Sequence, residues 1–71
     1  MITAQIERPI EVNGVLSNAI AKAAEQGDQN AAFRSLVSCM ARSNIYTVRV
    51  TEGVIEVFSR FHKHRLAYIA E

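Results

Sequence analysis

One stretch of the chain constrains the fold more than any other, and it runs from residue 45 to residue 61. Its first part alternates apolar and polar side chains with the two-residue period of a strand, and one face holds Tyr46, Val48 and Val50. Gly53 interrupts the alternation, and a second alternating segment follows it. This pattern is typical of a β-hairpin.

The length of the turn decides which side chains of the hairpin share a face. A turn formed by two residues, Glu52 and Gly53, produces four cross-strand pairs, namely Val50 with Ile55, Val48 with Val57, Tyr46 with Ser59 and Arg49 with Glu56. A three-residue turn would instead place Glu56 opposite Val48 on the apolar face. Because a slip of one residue exchanges the two faces of a strand, we predict the two-residue turn.

Two helices are predicted before the hairpin, because apolar residues there recur with the spacing of one helical face. Asn13 and Asp28 are suited to cap their first turns, and Gly27 is suited to end the first helix. The apolar residues of the first helix are Val15, Leu16, Ala19, Ile20, Ala23 and Ala24, and those of the second are Ala32, Phe33, Leu36, Val37 and Met40.

The two ends of the chain carry weaker patterns. Residues 2–6 alternate as a short edge strand, which Pro9 must end. Near the other end, Leu66, Tyr68 and Ala70 alternate as a last strand, which would pair with Ser59, Val57 and Ile55 respectively. The alternative is a helix over residues 60–70 with Ser59 as its cap. Periodicity favours the strand, since the apolar residues do not gather on one helical face.

These elements predict an α+β fold, in which a helical hairpin packs on a small antiparallel sheet in the order β-α-α-β-β-β. The 71 residues form a single compact domain, residues 1–71. The apolar sheet face comprises Tyr46, Val48, Val50, Ile55 and Val57, and the helices cover it with Leu16, Ile20, Phe33, Leu36, Val37 and Met40.

Composition narrows the class of protein. The net charge is +1, and no apolar run approaches the roughly 20 residues of a membrane span. The beginning of the chain lacks the pattern of a secretory signal. Cys39 is the only cysteine, so no disulfide can form within the chain, and we predict a buried, inert thiol in a cytoplasmic protein with no membrane association.

No candidate for catalysis or for a cofactor emerges from the sequence. The three glycines are isolated, so no phosphate-binding loop is present, and no acid–base pair accompanies Cys39. His62 and His64 would point to one side of an extended segment, but a metal site needs further ligands. We therefore expect no enzymatic activity, no cofactor and no metal.

The outer face of the second helix is the candidate surface for a partner. Small side chains permit close approach of another backbone, and arginine is common in interfaces. This face comprises Ala31, Arg34, Ser35, Ser38, Ala41 and Arg42. A core this small gains from self-association, so we expect a homodimer. Pairing of an edge strand, either residues 2–7 or residues 65–70, is the competing route to a dimer.

The alternative function is a small nucleic-acid-binding regulator. The two helices joined at Gly27 have the layout of a degenerate helix-turn-helix, and the hairpin follows where a wing would lie. Asp28 at the start of the second helix would face phosphates unfavourably, so this alternative is not favoured. Its candidate residues are Arg34, Arg42, Arg60, Lys63 and Arg65. The sequence thus favours a small non-enzymatic protein-binding accessory module.

Overall fold

The computed structural model describes residues 2–41, 43–61 and 63–71. Its elements follow the predicted order, which confirms the α+β fold and the last strand. They are β1 (Thr3–Ile6), a short 3-10 turn (Pro9–Glu11), α1 (Gly14–Ala24), α2 (Gln29–Cys39), β2 (Tyr46–Thr51), β3 (Val54–Ser59) and β4 (Arg65–Ala70).

The strands form one antiparallel sheet in the order β1-β4-β3-β2, with the two helices packed on one of its faces. The core lies between these two layers. The buried residues are Leu16, Ala19, Ile20, Ala23, Ala32, Leu36, Met40, Ile55, Val57, Leu66, Ala67 and Ile69. Neither helix is long and apolar enough to cross a membrane, within the ranges that the structure describes.

The predicted hairpin is confirmed in every pair. Val50 lies opposite Ile55, and the other three predicted partners also match. Glu52 and Gly53 form the two-residue turn with φ of 52° and 79°. Two consecutive positive φ values match the twist of the flanking strands, and Gly53 adopts its value without a steric penalty.

The register predicted for β4 is wrong. Ile55 lies opposite Ile69 instead of Ala70, and Val57 lies opposite Ala67 instead of Tyr68. The register between β3 and β4 shifts at Val57 and Phe58, and this irregularity interrupts the strict alternation along β4. As a result the consecutive residues Leu66 and Ala67 are both buried, and Tyr68 lies on the opposite face.

Both predicted helix caps are confirmed. The Asn13 side chain accepts a hydrogen bond from the backbone N–H of Leu16 at 2.9 Å, and Asp28 accepts one from Ala31 at 2.8 Å. Each bond satisfies a donor that the first turn of a helix leaves unpaired. The start of α2 is also tied to the sheet, because the Gln29 side-chain amide donates to the Gly53 carbonyl at 2.7 Å.

The part of α2 that faces the core is narrower than predicted. Ala32, Leu36 and Met40 are buried at successive turns, but Phe33 is only partly buried and Val37 is 41% exposed. Phe33 and Val37 follow the buried residues by one position, so they lie at the rim of the contact with the sheet. Val50 is likewise 51% exposed, since β2 is an edge strand.

Candidate functional site

The helices leave one face of the sheet uncovered within the described parts of the chain, and we call it the open face. Its side chains alternate along each strand with those that enter the core. The open face consists of Thr3, Gln5, Thr47, Arg49, Thr51, Val54, Glu56, Phe58, Arg65, Tyr68 and Ala70. It therefore combines two arginines and two aromatic rings, which are residue types enriched where proteins bind other molecules.

Each arginine of the open face stacks on a ring. The guanidinium of Arg49 lies 4.5 Å from the ring centroid of Phe58, and that of Arg65 lies 4.5 Å from the ring centroid of Tyr68. Glu56 lies between the two pairs, with one oxygen 3.1 Å from Nη1 of Arg65 and the other 3.8 Å from Nε of Arg49. Stacking and ion pairing thus hold the five side chains in a line across β2, β3 and β4.

Arg65 also binds Glu7, just beyond β1. Its Nε lies 2.6 Å from Oε1 of Glu7, and its Nη2 lies 3.1 Å from Oε2, which is a bidentate contact. The hydrogen bond from Arg65 lowers the pKa of the Glu7 carboxyl, and partial desolvation opposes this as the smaller effect. Arg65 therefore neutralises carboxylates on both of its sides.

The contact between Glu7 and Arg65 is expected to stabilise the fold at neutral pH and to lose this effect in acid. Because the pKa of Glu7 is lower in the folded chain, the stabilisation is complete above about pH 5 and declines as the pH falls through the folded pKa. Urea unfolding at about pH 7 and about pH 3 tests this, because the stability advantage of wild type over Glu7→Gln should be larger at the higher pH.

Glu25→Gln serves as the control, because the described residues supply no hydrogen bond or ion pair to the Glu25 carboxylate. If wild type and Glu7→Gln differ in free energy of unfolding by the same amount at both pH values, the contact with Arg65 is not the cause of that difference.

A depression of about 400 Å³ lies where the open face meets the loop between β3 and β4. Among the described residues, its lining includes three cations and one aromatic ring, and it consists of Thr47, Arg49, Phe58, Ser59, Arg60 and Lys63. We call this set the basic corner. Arg60 is held there by two contacts, since its backbone N–H donates to the Ile45 carbonyl at 3.0 Å and its Nη1 to the Asn44 carbonyl at 3.0 Å. None of the described lining residues is a carboxylate.

The structure brings together only part of the predicted nucleic-acid set. Arg60 and Lys63 share the basic corner, and Arg65 is engaged with carboxylates on the open face. Arg34 is exposed on α2 in the helix layer, and Arg42 lies outside the described residues.

Sequence reasoning missed Arg49 and Phe58 as members of this site. The signal was present in the predicted hairpin register, which places Phe58 opposite Thr47 and therefore diagonal to Arg49 on one face.

The predicted partner surface lies on the side of α2 that faces away from the core. Arg34, Ser38 and Ala41 are exposed, and Ala31 and Ser35 are partly buried. Arg42, the sixth member of that set, is outside the described residues.

The sheet edges differ from those expected. Residues 65–70 form β4, which lies between β1 and β3, so pairing of this strand with its own copy is ruled out as a route to a dimer. The edges are β1, as predicted, and β2. β2 has six residues and β1 has four, so β2 offers the longer free edge.

Two further side chains with reactive or ligating groups lie away from the open face. Cys39 is exposed at the end of α2, so the predicted burial of its thiol is wrong. His64 Nε2 lies 2.7 Å from Oε2 of Glu11 in the 3-10 turn. The described residues contain no group of three histidine, cysteine, aspartate or glutamate side chains placed to hold a metal ion, and His62 is outside them.

Comparison with known proteins adds no relative: no family model, no curated protein and no solved structure matches this chain.

Proposed function

We propose that this chain is a small non-enzymatic accessory module that works in the cytoplasm as a homodimer and acts through protein contacts. The observation that carries the proposal is the free edge of β2, a strand of six residues at the margin of the sheet. Unpaired strand edges are templates for pairing with another chain. A single, exposed cysteine fits a reducing compartment.

The edge of β2 carries few of the features that keep edge strands from pairing. It contains no proline and no lysine, and Arg49 is its one charged side chain. Val50, near its end, is half exposed on the face toward the helices. By contrast, β1 is short and is followed by Pro9. The chemistry of β2 therefore favours this edge over β1.

A two-fold axis at this edge gives a specific register. In an antiparallel pair about such an axis, a register centred on Val48 places Thr47 opposite Arg49 of the copy and Tyr46 opposite Val50. A register centred on Arg49 would place two like charges directly opposite each other, which is destabilising. The dimer we propose is centred on Val48, and it extends the sheet of each copy across the interface.

Self-association would also compensate for the small size of the core. A chain of 71 residues buries little apolar surface on folding, and an interface removes more of it from water. Val50 would lose its exposure in the proposed dimer, because the copy would cover the edge of the strand.

Light scattering at a protomer concentration of about 100 µM tests the proposal. We expect wild type to be a dimer and Val50→Lys to be a monomer, because a lysine at the free edge opposes strand pairing. Val37→Lys is the matched control, since it introduces the same charge at an exposed valine of α2. It should remain dimeric.

Ser38→Glu separates the edge from the outer face of α2. A charge at Ser38 would lie near its own symmetry mate only if α2 formed the interface, so we expect this variant to remain dimeric. Monomeric wild type at this concentration would refute the homodimer. If Ser38→Glu is monomeric and Val50→Lys is dimeric, the interface lies on α2.

A further inference from the structure

The basic corner is positively charged, whereas the charges around Arg65 on the open face neutralise one another. Arg65 binds both Glu56 on this face and Glu7 just beyond β1, at 3.1 Å or less. Arg49 reaches Glu56 only at 3.8 Å, and Lys63 has no ion-pair partner among the described residues. The corner therefore presents Arg49, Arg60 and Lys63 to an anion, and no carboxylate is among the described residues of its lining.

An aromatic ring also lines the basic corner. Phe58 is partly exposed on the open face, and the guanidinium of Arg49 lies against its ring at 4.5 Å. A flat base can stack on an aromatic ring or on a guanidinium plane, and both are present here. Arg60 and Lys63 lie at the rim, at the end of β3 and in the loop that follows it. The corner thus offers a stacking surface and adjacent cations.

A second stacking surface lies on the neighbouring strand. Tyr68 lies opposite Glu56, so its position is diagonal to Phe58. Diagonal positions on adjacent strands are about 7–8 Å apart, within reach of successive bases of an extended strand. The guanidinium of Arg65 lies 4.5 Å from the ring centroid of Tyr68, which is the same distance as that of Arg49 from the ring centroid of Phe58.

We propose that the open face binds single-stranded nucleic acid. One base stacks on the pair formed by Arg49 and Phe58, and the backbone phosphates adjacent to that base contact Arg60 and Lys63. An unstacked base can reach a ring that lies on a sheet face, whereas the bases of a duplex are covered by their neighbours. This binding goes beyond the proposed dimer, and it uses the face of β2 instead of its edge.

Fluorescence anisotropy with a labelled thymidine strand of about 15 nucleotides tests the proposal. Replacing Arg60 and Lys63 together by Glu is expected to weaken binding by about 100-fold or more, because two phosphate contacts become repulsive. The control is Lys22→Glu with Arg34→Glu, which makes the same change of net charge on the exposed side of the helix layer. We expect it to alter binding by less than about threefold.

Variants of Phe58 test base stacking separately from the effect of charge. Phe58→Leu keeps an apolar side chain and removes the ring, so we expect binding about tenfold weaker. Phe58→Tyr keeps a ring and should bind within about threefold of wild type. Thermal unfolding of each variant shows whether it is folded.

Salt and competitors complete the test. Affinity for the single strand should fall with salt at a log–log slope of about −1.4, because each of the two phosphate contacts contributes about −0.7 on a single strand. Comparable affinity for a duplex of the same length, or displacement by free thymidine monophosphate at equal nucleotide concentration, would overturn the proposal. So would equal weakening by the helix-layer control, unchanged binding of Phe58→Leu, or no binding by wild type at about 50 mM salt.

Discussion

Replacing Leu36 by Ala is expected to lower the free energy of unfolding by about 2–5 kcal/mol. Leu36 is 0% exposed at the middle turn of α2, and truncation removes its apolar contacts and leaves a cavity between the helices and the sheet. A loss of this size approaches the whole stability of a small domain. Urea unfolding followed by circular dichroism measures it.

Val37→Ala is the matched control for this prediction. It truncates the neighbouring residue of α2, which is 41% exposed, so we expect a loss of less than about 1 kcal/mol. Phe33→Ala should fall between the two variants, because Phe33 packs against the core from its rim. A larger loss for Val37→Ala than for Leu36→Ala would mean that α2 presents a different side to the sheet.

Replacing Ile69 by Ala is expected to cost a similar amount, about 2–5 kcal/mol. Ile69 is 0% exposed in β4, with Ala4 on one side and Ile55 on the other. Its side chain thus lies in the middle of the sheet face that the helices cover. The free energy of unfolding from urea denaturation again provides the measurement.

Tyr68→Ala is the comparison that distinguishes the observed register from the predicted one. Tyr68 lies on the open face, where it stacks with Arg65, so its truncation should cost about 1 kcal/mol. Strict alternation of Leu66, Tyr68 and Ala70 toward the core would reverse the order of the two losses. A costlier Tyr68→Ala would therefore contradict the register described for β4.

The two proposed surfaces of β2 are compatible. In the dimer centred on Val48, strand pairing uses the backbone edge, and Arg49 remains on the open face with its ring partner Phe58. The open faces of the two copies would then be continuous across the interface. The two proposals remain separable, because Val50→Lys addresses the dimer and Phe58→Leu addresses the nucleic acid.

The sequence by itself determined the elements whose evidence is local. Alternation over residues 46–59 and a turn at Glu52 and Gly53 were enough to predict every pair of the hairpin, because one shift would have exchanged its faces. Asn13 and Asp28 predicted the starts of both helices, since a cap acts within its own first turn.

Only the tertiary structure decided the features that depend on distant segments. The register shift beside Val57 buries both Leu66 and Ala67, and strict alternation could not predict two consecutive core residues. The partial exposure of Phe33 depends on how α2 rotates on the sheet, which its own periodicity does not specify to within one residue. The basic corner forms only because the loop after β3 brings Arg60 and Lys63 beside Arg49. The sequence alone does not specify which charged side chains share a surface.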